Sequence, residues 1–112
     1  MEYIKNIPHA EVFTMADQVA YMPGQIVSKT MAQDGRHSLT LFAFDKGEEI
    51  SSHDSQGDAL VLALDGQGRI TIDGKEHILG AGEAIVMPAQ ISHAVYAQEQ
   101  FKMLLVVIFP EK

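Results

Sequence analysis

The chain of 112 residues, 46% hydrophobic and 21% charged, is long enough for one domain with a hydrophobic core, and this composition excludes a disordered chain. Eight basic against 15 acidic side chains give a formal net charge of −7 without a basic cluster, which argues against nucleic acid or a membrane as a partner. The absence of cysteine excludes a disulfide framework and a cysteine-based zinc site.

The N-terminal part, residues 1–34, predicts an arm, a short helix and a strand. Its start lacks the basic-then-apolar layout of a signal peptide, so we expect a cytoplasmic protein. Residues 14–17 resemble a capping box and predict a helix from about Met15 to Tyr21, which Met22-Pro23-Gly24 ends because proline and glycine break regular structure. Residues 25–31 are rich in β-branched side chains and predict the first strand.

The rest of the chain predicts short β-strands separated by turns. Asp73-Gly74 is a strong signal for a two-residue hairpin, because both central residues of a type I′ turn need a positive φ. Asp65-Gly66 predicts the end of the apolar strand before it. Short strands at close spacing predict an all-β antiparallel sandwich or barrel. The predicted strands are residues 38–45, 48–53, 59–64, 69–72, 75–79, 83–87, 93–97 and 101–109.

Two of these strands, residues 59–64 and 103–109, are apolar at almost every position. Because a strand alternates its side chains between two faces, both the inner and the outer face of each must find apolar cover. We expect a homodimer that buries the outer faces. The alternative is that the N-terminal 35 residues cover them within one chain.

From Gly47 onward, glycines, histidines and a proline recur at a fixed spacing. The segment 47–109 resembles the cupin family, whose first motif runs G-x5-H-x-H-x3,4-E-x6-G and whose second runs G-x5-P-x-G-x2-H-x3-N. The resemblance implies a cupin-like double-stranded β-helix, a jelly-roll-type barrel of the cupin 2 conserved barrel type, in residues 35–112. The matching positions are Gly47, His53, Gly66, Gly82, Pro88 and His93.

The resemblance also implies a metal centre, since most metal-bearing cupins take three histidines and one glutamate from these motifs. This sequence keeps only His53 and His93; Ser55 stands at the second histidine position and Ala59 at the glutamate position. Ser55 and Gln90, which replaces a motif glycine, are candidate additional ligands. The implied cofactor is one divalent transition metal (Zn, Fe, Ni or Mn), held weakly because catalytic sites normally use at least three protein groups. One alternative is that the two imidazoles act as a general acid/base pair, since imidazole titrates near neutral pH. Another is that they bind each other, water or a ligand without metal or catalysis.

A ligand pocket is predicted next to these histidines. Ala59, Val61 and Ala63 share one face, and their parity with the glutamate position turns that face inward, so their small side chains leave room for a ligand. The alternative is that larger side chains such as Phe44 and Met103 fill the space.

Three functions are compatible with these observations. The first is binding of a small organic ligand in the barrel interior, with or without a weakly held divalent metal at His53 and His93. The second is a metal-dependent enzyme (isomerase, dioxygenase or sugar-modifying) with a two-histidine centre, so enzymatic activity stays open. The third is a dimeric structural protein with a vestigial pocket. The remaining histidines, which fall outside both motifs and are expected at surface or edge positions, are His9, His37 and His77.

Overall fold

The structure, a computed structural model, describes residues 2–110. Met1 of the predicted N-terminal segment and residues 111–112 of the predicted barrel segment lie outside this range. Within the described range the chain forms one 3-10 helix, Met15–Gln18, followed by seven strands. The strands are β1 (Ile26–Gln33), β2 (His37–Phe44), β3 (Glu49–His53), β4 (Asp58–Ile72), β5 (Lys75–Gly80), β6 (Ala84–Met87) and β7 (His93–Ile108).

Two long strands, β4 and β7, organise the fold, because they pair with each other along most of their length. One half of this pair is flanked by β6 on one side and by β2 and then β1 on the other. The other half is flanked by β5 and β3. All pairs are antiparallel and belong to one continuous seven-stranded sheet, whose two halves, called the two sheets below, share β4 and β7. The molecule is the predicted all-β jelly-roll-type barrel.

Bulges in β4 let the two long strands pass from one sheet to the other. The register with β7 shifts between Ala63 and Asp65 and again between Gly66 and Gly68, and such bulges bend a strand and increase its twist. Gly66 has φ +73°, and a Cβ there would collide with the carbonyl oxygen of Gln100. The Asp65-Gly66 pair was therefore wrongly predicted to end a strand, because the close approach of β7 holds this segment in the sheet.

A second prediction was wrong for a related reason. Residues 93–97 and 101–109 were expected to be separate strands, but they form the single strand β7, which serves both sheets. The predicted helix is also shorter than expected, a single 3-10 turn that ends at Gln18, and Thr14 makes no side-chain cap hydrogen bond. Val19 and Tyr21 instead pack against the barrel, and Val19 is only 5% exposed. The Asp73-Gly74 hairpin is confirmed, since both residues have positive φ.

The main core lies between the two sheets. It contains Phe44, Ile70, Phe101 and Met103, each no more than 1% exposed. The rings of Phe44 and Phe101 are tilted against each other with centroids 5.9 Å apart, a favourable geometry for aromatic pairs. Burying four such side chains stabilises the fold by roughly 1.5–3 kcal/mol each.

The outer face of β2, β4 and β7 is covered in part by the chain's own N-terminal segment. Val19 packs in a second cluster with Leu41 and Ala43, and Met15 and Tyr21 lie against the same cluster. A row of apolar side chains beyond this cover stays accessible: Leu60 is 39% and Val86 50% exposed. Cross-strand pairing continues this row from Val86 and Leu60 to the half-buried Val106 and Leu39, and Leu39 also packs against the second cluster.

None of the helical structure in residues 2–110 is long and apolar enough to cross a membrane.

Candidate functional site

The backbone conformation at the motif glycines explains why glycine recurs at these positions of the two motifs. Gly47, Gly66 and Gly82 all have positive φ, between +73° and +88°, a region that glycine enters without steric cost. Gln90, which stands where the second motif has its second glycine, also has a positive φ of 64°. The turn that precedes His93 is thus kept although the glycine is not.

The two motif histidines come from different strands and meet at one end of the barrel. His53 is the last residue of β3 and His93 the first of β7, and the two are direct cross-strand partners. On its other side His93 pairs with Ile72, at the end of β4. His93 is 3% exposed, whereas His53 is open to solvent. The pair therefore lies at the mouth of the barrel, with one ring inside and one at the rim.

The two imidazoles face each other through the same ring atom. The Nε2 atoms of His53 and His93 are 3.2 Å apart, and the rings meet nearly edge to face at 75°. Each Nδ1 is bound to a backbone carbonyl oxygen: that of Ser51 at 2.8 Å for His53 and that of Ile91 at 3.2 Å for His93.

These partners fix the tautomers. A carbonyl oxygen only accepts hydrogen bonds, so each Nδ1 carries the proton, and in a neutral imidazole the other nitrogen then presents a lone pair. With both rings neutral, two Nε2 atoms that each carry a lone pair lie only 3.2 Å apart. The pair as built is suited to a positive group between the rings, either a proton, which makes one ring a cation, or a metal ion.

The surroundings of His93 disfavour a proton on the Nε2 of that ring. Burial lowers the pKa of His93 below its ordinary value, and the neighbouring His53 lowers it further, while the Ile91 carbonyl and Asp54 act in the opposite direction. Burial disfavours the charged imidazolium because it removes the ring from water. His93 is therefore poised to be neutral near neutral pH, the state in which imidazole binds metals.

The donor set fits two positions of a metal centre. Two nitrogen ligands at about 2.0–2.1 Å on a tetrahedral zinc are about 3.3 Å apart, close to the observed 3.2 Å between the two Nε2 atoms. Both Nδ1–H groups are bound to carbonyls, as is usual for metal-binding histidines. Within residues 2–110, however, no cluster of three or more His, Asp or Glu side chains can hold a metal. A metal here would take its remaining ligands from water or a bound molecule.

Of the other candidate ligands, the Ser55 side chain is engaged elsewhere, whereas the contact of Gln90 is made by its backbone. The Oγ of Ser55 accepts a hydrogen bond from the Gly57 amide at 3.2 Å. The Gln90 amide donates to the Ser55 carbonyl at 2.7 Å, so the structure brings these two residues together through their backbones. Asp58, next to the lost glutamate position, accepts from the Ala89 amide at 2.8 Å. A ligand role for Ser55 and Gln90 stays a prediction.

The predicted pocket face is buried. Ala59, Val61 and Ala63 are at most 2% exposed and belong to the main core cluster, together with Phe44 and Met103. Four surface clefts among the described residues are lined by neither histidine, nor by Ala59, Val61 or Ala63. The packing favours the alternative of a filled interior, and the pocket at these three residues stays a prediction.

The three remaining histidines lie away from this pair. His9 and His37 are exposed, and His77 is half-buried opposite Ile70 in the β4–β5 hairpin.

Two serines next to the histidines were missed. The hydroxyls of Ser52 and Ser92 are 2.8 Å apart and form a hydrogen bond. Each serine directly precedes a site histidine, so a Ser-His dipeptide occurs in both motifs. This repeat is the sequence signal that could have identified them.

Comparisons with known proteins extend the family resemblance. Residues 40–109 match the family model described as Cupin domain. A comparison with curated proteins finds no match.

Solved structures similar to this chain share its fold over most of its length. A conserved protein of unknown function from Streptococcus pyogenes is 46% identical with a TM-score of 0.97, and the match covers 100% of this chain and 98% of that chain. A cupin superfamily protein from Desulfitobacterium hafniense is 31% identical with a TM-score of 0.91, covering 96% and 98%. A Cupin 2 conserved barrel domain protein from Leptotrichia buccalis is 44% identical with a TM-score of 0.84, covering 86% of this chain and 47% of that longer chain.

Proposed function

The chain belongs to the cupin family, and we propose that it binds a small organic ligand at the barrel mouth, beside a divalent metal ion held weakly by His53 and His93. The cupin barrel hosts many unrelated activities, so family membership does not select this function. The geometry of the two histidines carries the proposal.

The single observation that supports it best is the pair of Nε2 atoms 3.2 Å apart, with both Nδ1 atoms bound to carbonyl oxygens. Two lone pairs this close repel each other unless a cation or a hydrogen-bond donor lies between them. The lowered pKa of the buried His93 disfavours a proton on that ring. A divalent metal ion satisfies both nitrogens at once.

Two protein ligands leave the metal incomplete. The remaining coordination positions fall to water or to a ligand molecule with oxygen donors, such as a carboxylate or a hydroxyl group. A bound metal would supply Lewis-acid polarisation of that oxygen. His53 is exposed while His93 is buried, so a ligand can approach from the rim. The filled interior around Phe44 and Met103 favours binding at the mouth rather than deep in the barrel.

Equilibrium dialysis against Zn²⁺ and Mn²⁺ tests the metal. We expect one ion per chain for the wild-type protein, with affinity lost in His53→Gln and in His93→Gln. The exposed His9, outside both motifs, supplies the matched control, and His9→Gln should bind as the wild type does. Equal binding by all four proteins would contradict the proposal.

Native mass spectrometry of protein purified without a chelator tests the ligand. We expect an added mass of one metal ion together with one small organic molecule, and both should disappear in His53→Gln. A wild-type protein that carries neither species, and takes up no metal in dialysis, would reject the proposal.

A further inference from the structure

We infer that Ser52 and Ser92 are positioning residues for the histidine pair: their hydroxyl–hydroxyl hydrogen bond sets the distance between the two Nε2 atoms. The inference rests on the proposed two-histidine centre. Its basis is a second contact between the same two chain segments, one residue before each histidine.

The strand that carries His53 needs such a restraint. β3 has five residues, pairs with β7 and is largely exposed. Ile50 pairs with Val95 and His53 with His93, so three steps along β3 match two along β7. The extra residue makes a β-bulge, a device that re-aims side chains next to functional sites. Backbone pairing therefore does not by itself fix the direction of the His53 ring.

The partner segment is firmly held. The Ser92 carbonyl accepts a hydrogen bond from the Asp73 amide at 2.8 Å, which ties it to the turn between β4 and β5. His93 itself is buried against the core. Ser92 is thus a fixed point, and the 2.8 Å contact between Oγ atoms attaches the bulged part of β3 to it.

A second tie lies on the other side of His53. The Gln90 amide donates to the Ser55 carbonyl at 2.7 Å, so the two segments are joined before and after the histidine on β3. The backbone hydrogen bond between Gln90 and Ser55 is kept by any substitution that keeps the turn. The hydroxyl hydrogen bond between Ser52 and Ser92 depends on two side chains. Both serines are exposed, so their replacement by alanine leaves no cavity in the core.

The test measures Co²⁺ affinity and the Co²⁺ absorption spectrum of Ser52→Ala, Ser92→Ala and the double variant. Loss of a group that orients a metal ligand typically lowers metal affinity about 10–100-fold, and we expect about tenfold for each single variant, with a changed spectrum. The double variant should be no weaker than either single variant, because all three lack the same bond. Ser52→Thr, which keeps the hydroxyl, should restore affinity and spectrum.

Ser28→Ala is the matched control, since Ser28 is an exposed serine in β1 and its replacement should change nothing. Single variants that bind Co²⁺ like the wild type would overturn the inference. So would a double variant in which the two losses multiply.

A wild-type protein that binds no Co²⁺ would reject the proposed function, and the positioning role is then decided on the metal-free protein. The nuclear Overhauser effect between the Hε1 protons of His53 and His93 should be clear in the wild type and in Ser52→Thr, and weakened in Ser52→Ala. Equal intensity in all three would overturn the inference independently of the metal.

Discussion

Asp65 and Lys102 are direct cross-strand partners in β4 and β7, yet each binds the N-terminal segment. Asp65 accepts a hydrogen bond from the Tyr21 hydroxyl at 2.5 Å, and the Lys102 ammonium donates to the Ala16 carbonyl at 2.6 Å. Lys102 also lies 4.9 Å from the centre of the Tyr21 ring, a cation–π distance. The N-terminal segment is therefore fastened to the outer face by polar contacts as well as by apolar packing.

We predict that Tyr21→Phe loosens this attachment without disturbing the barrel. Hydrogen bonds to charged groups contribute about 1.5–3 kcal/mol, and partial exposure reduces this one to about 1 kcal/mol. Urea unfolding should show that loss of stability. Tyr3→Phe is the control, since Tyr3 is 82% exposed. Equal unfolding free energies for the two variants would show that the Tyr21 hydroxyl does not hold the segment.

The same contact predicts a loss of stability at alkaline pH. Burial raises the pKa of Tyr21 well above its ordinary value near 10, and the hydrogen bond to Asp65 raises it further. A pKa that is higher in the folded state gives stability that is complete below about pH 10 and lost above it. The unfolding free energy of the wild type should fall more steeply above pH 10 than that of Tyr21→Phe. Parallel curves of unfolding free energy against pH for the two proteins would contradict this prediction. Both proteins contain Lys102, so that residue does not account for a difference between the curves.

Gly68→Ala should destabilise the core at the bulge of β4. A Cβ at Gly68 would lie 2.6 Å from a ring carbon of the buried Phe101, and overpacking a well-packed core costs about 1–3 kcal/mol. Gly35→Ala is the control, because a Cβ at Gly35 meets nothing within 4 Å. Thermal unfolding should give a lower Tm for Gly68→Ala alone; an unchanged Tm would mean that the Phe101 ring moves aside freely.

The exposed row on the outer face predicts a homodimer. Leu60 lies between Val86 and Val106 on this face, and uncharged apolar rows of this kind are buried in symmetric dimers. Sedimentation should give a dimer mass for the wild type and a monomer for Leu60→Glu. Ile78→Glu, on β5 and 49% exposed, should remain a dimer. A monomeric wild type would show that the N-terminal segment gives the face all the cover it needs.

The local sequence predicted those parts of the fold whose conformation depends little on contacts with other strands. The Asp73-Gly74 turn follows from its two residues alone, because both can adopt positive φ. Asp65-Gly66 has the same kind of sequence but lies inside β4, since β7 pairs with it there. Turn residues show that the backbone can adopt a positive φ, whereas pairing with a neighbouring strand determines whether a turn or a continuous strand forms.

The candidate site was predictable only at the level of spacing. The motif spacing, from Gly47 to His53 and from Gly82 to His93, indicated that these two histidines share one end of the barrel. The structure brings the two histidines together. The orientation of the rings was not predictable, because it depends on the Ser51 and Ile91 carbonyls, which no side-chain pattern encodes. Their role as metal ligands stays a prediction.

The most direct test of the account is the protonation of the four imidazole nitrogens, measured by ¹⁵N nuclear magnetic resonance near neutral pH and repeated with Zn²⁺. We predict a proton on both Nδ1 atoms and none on either Nε2, with Zn²⁺ shifting the two Nε2 signals together. A proton found on the Nε2 of either neutral ring, or Nε2 signals that ignore Zn²⁺, would contradict it.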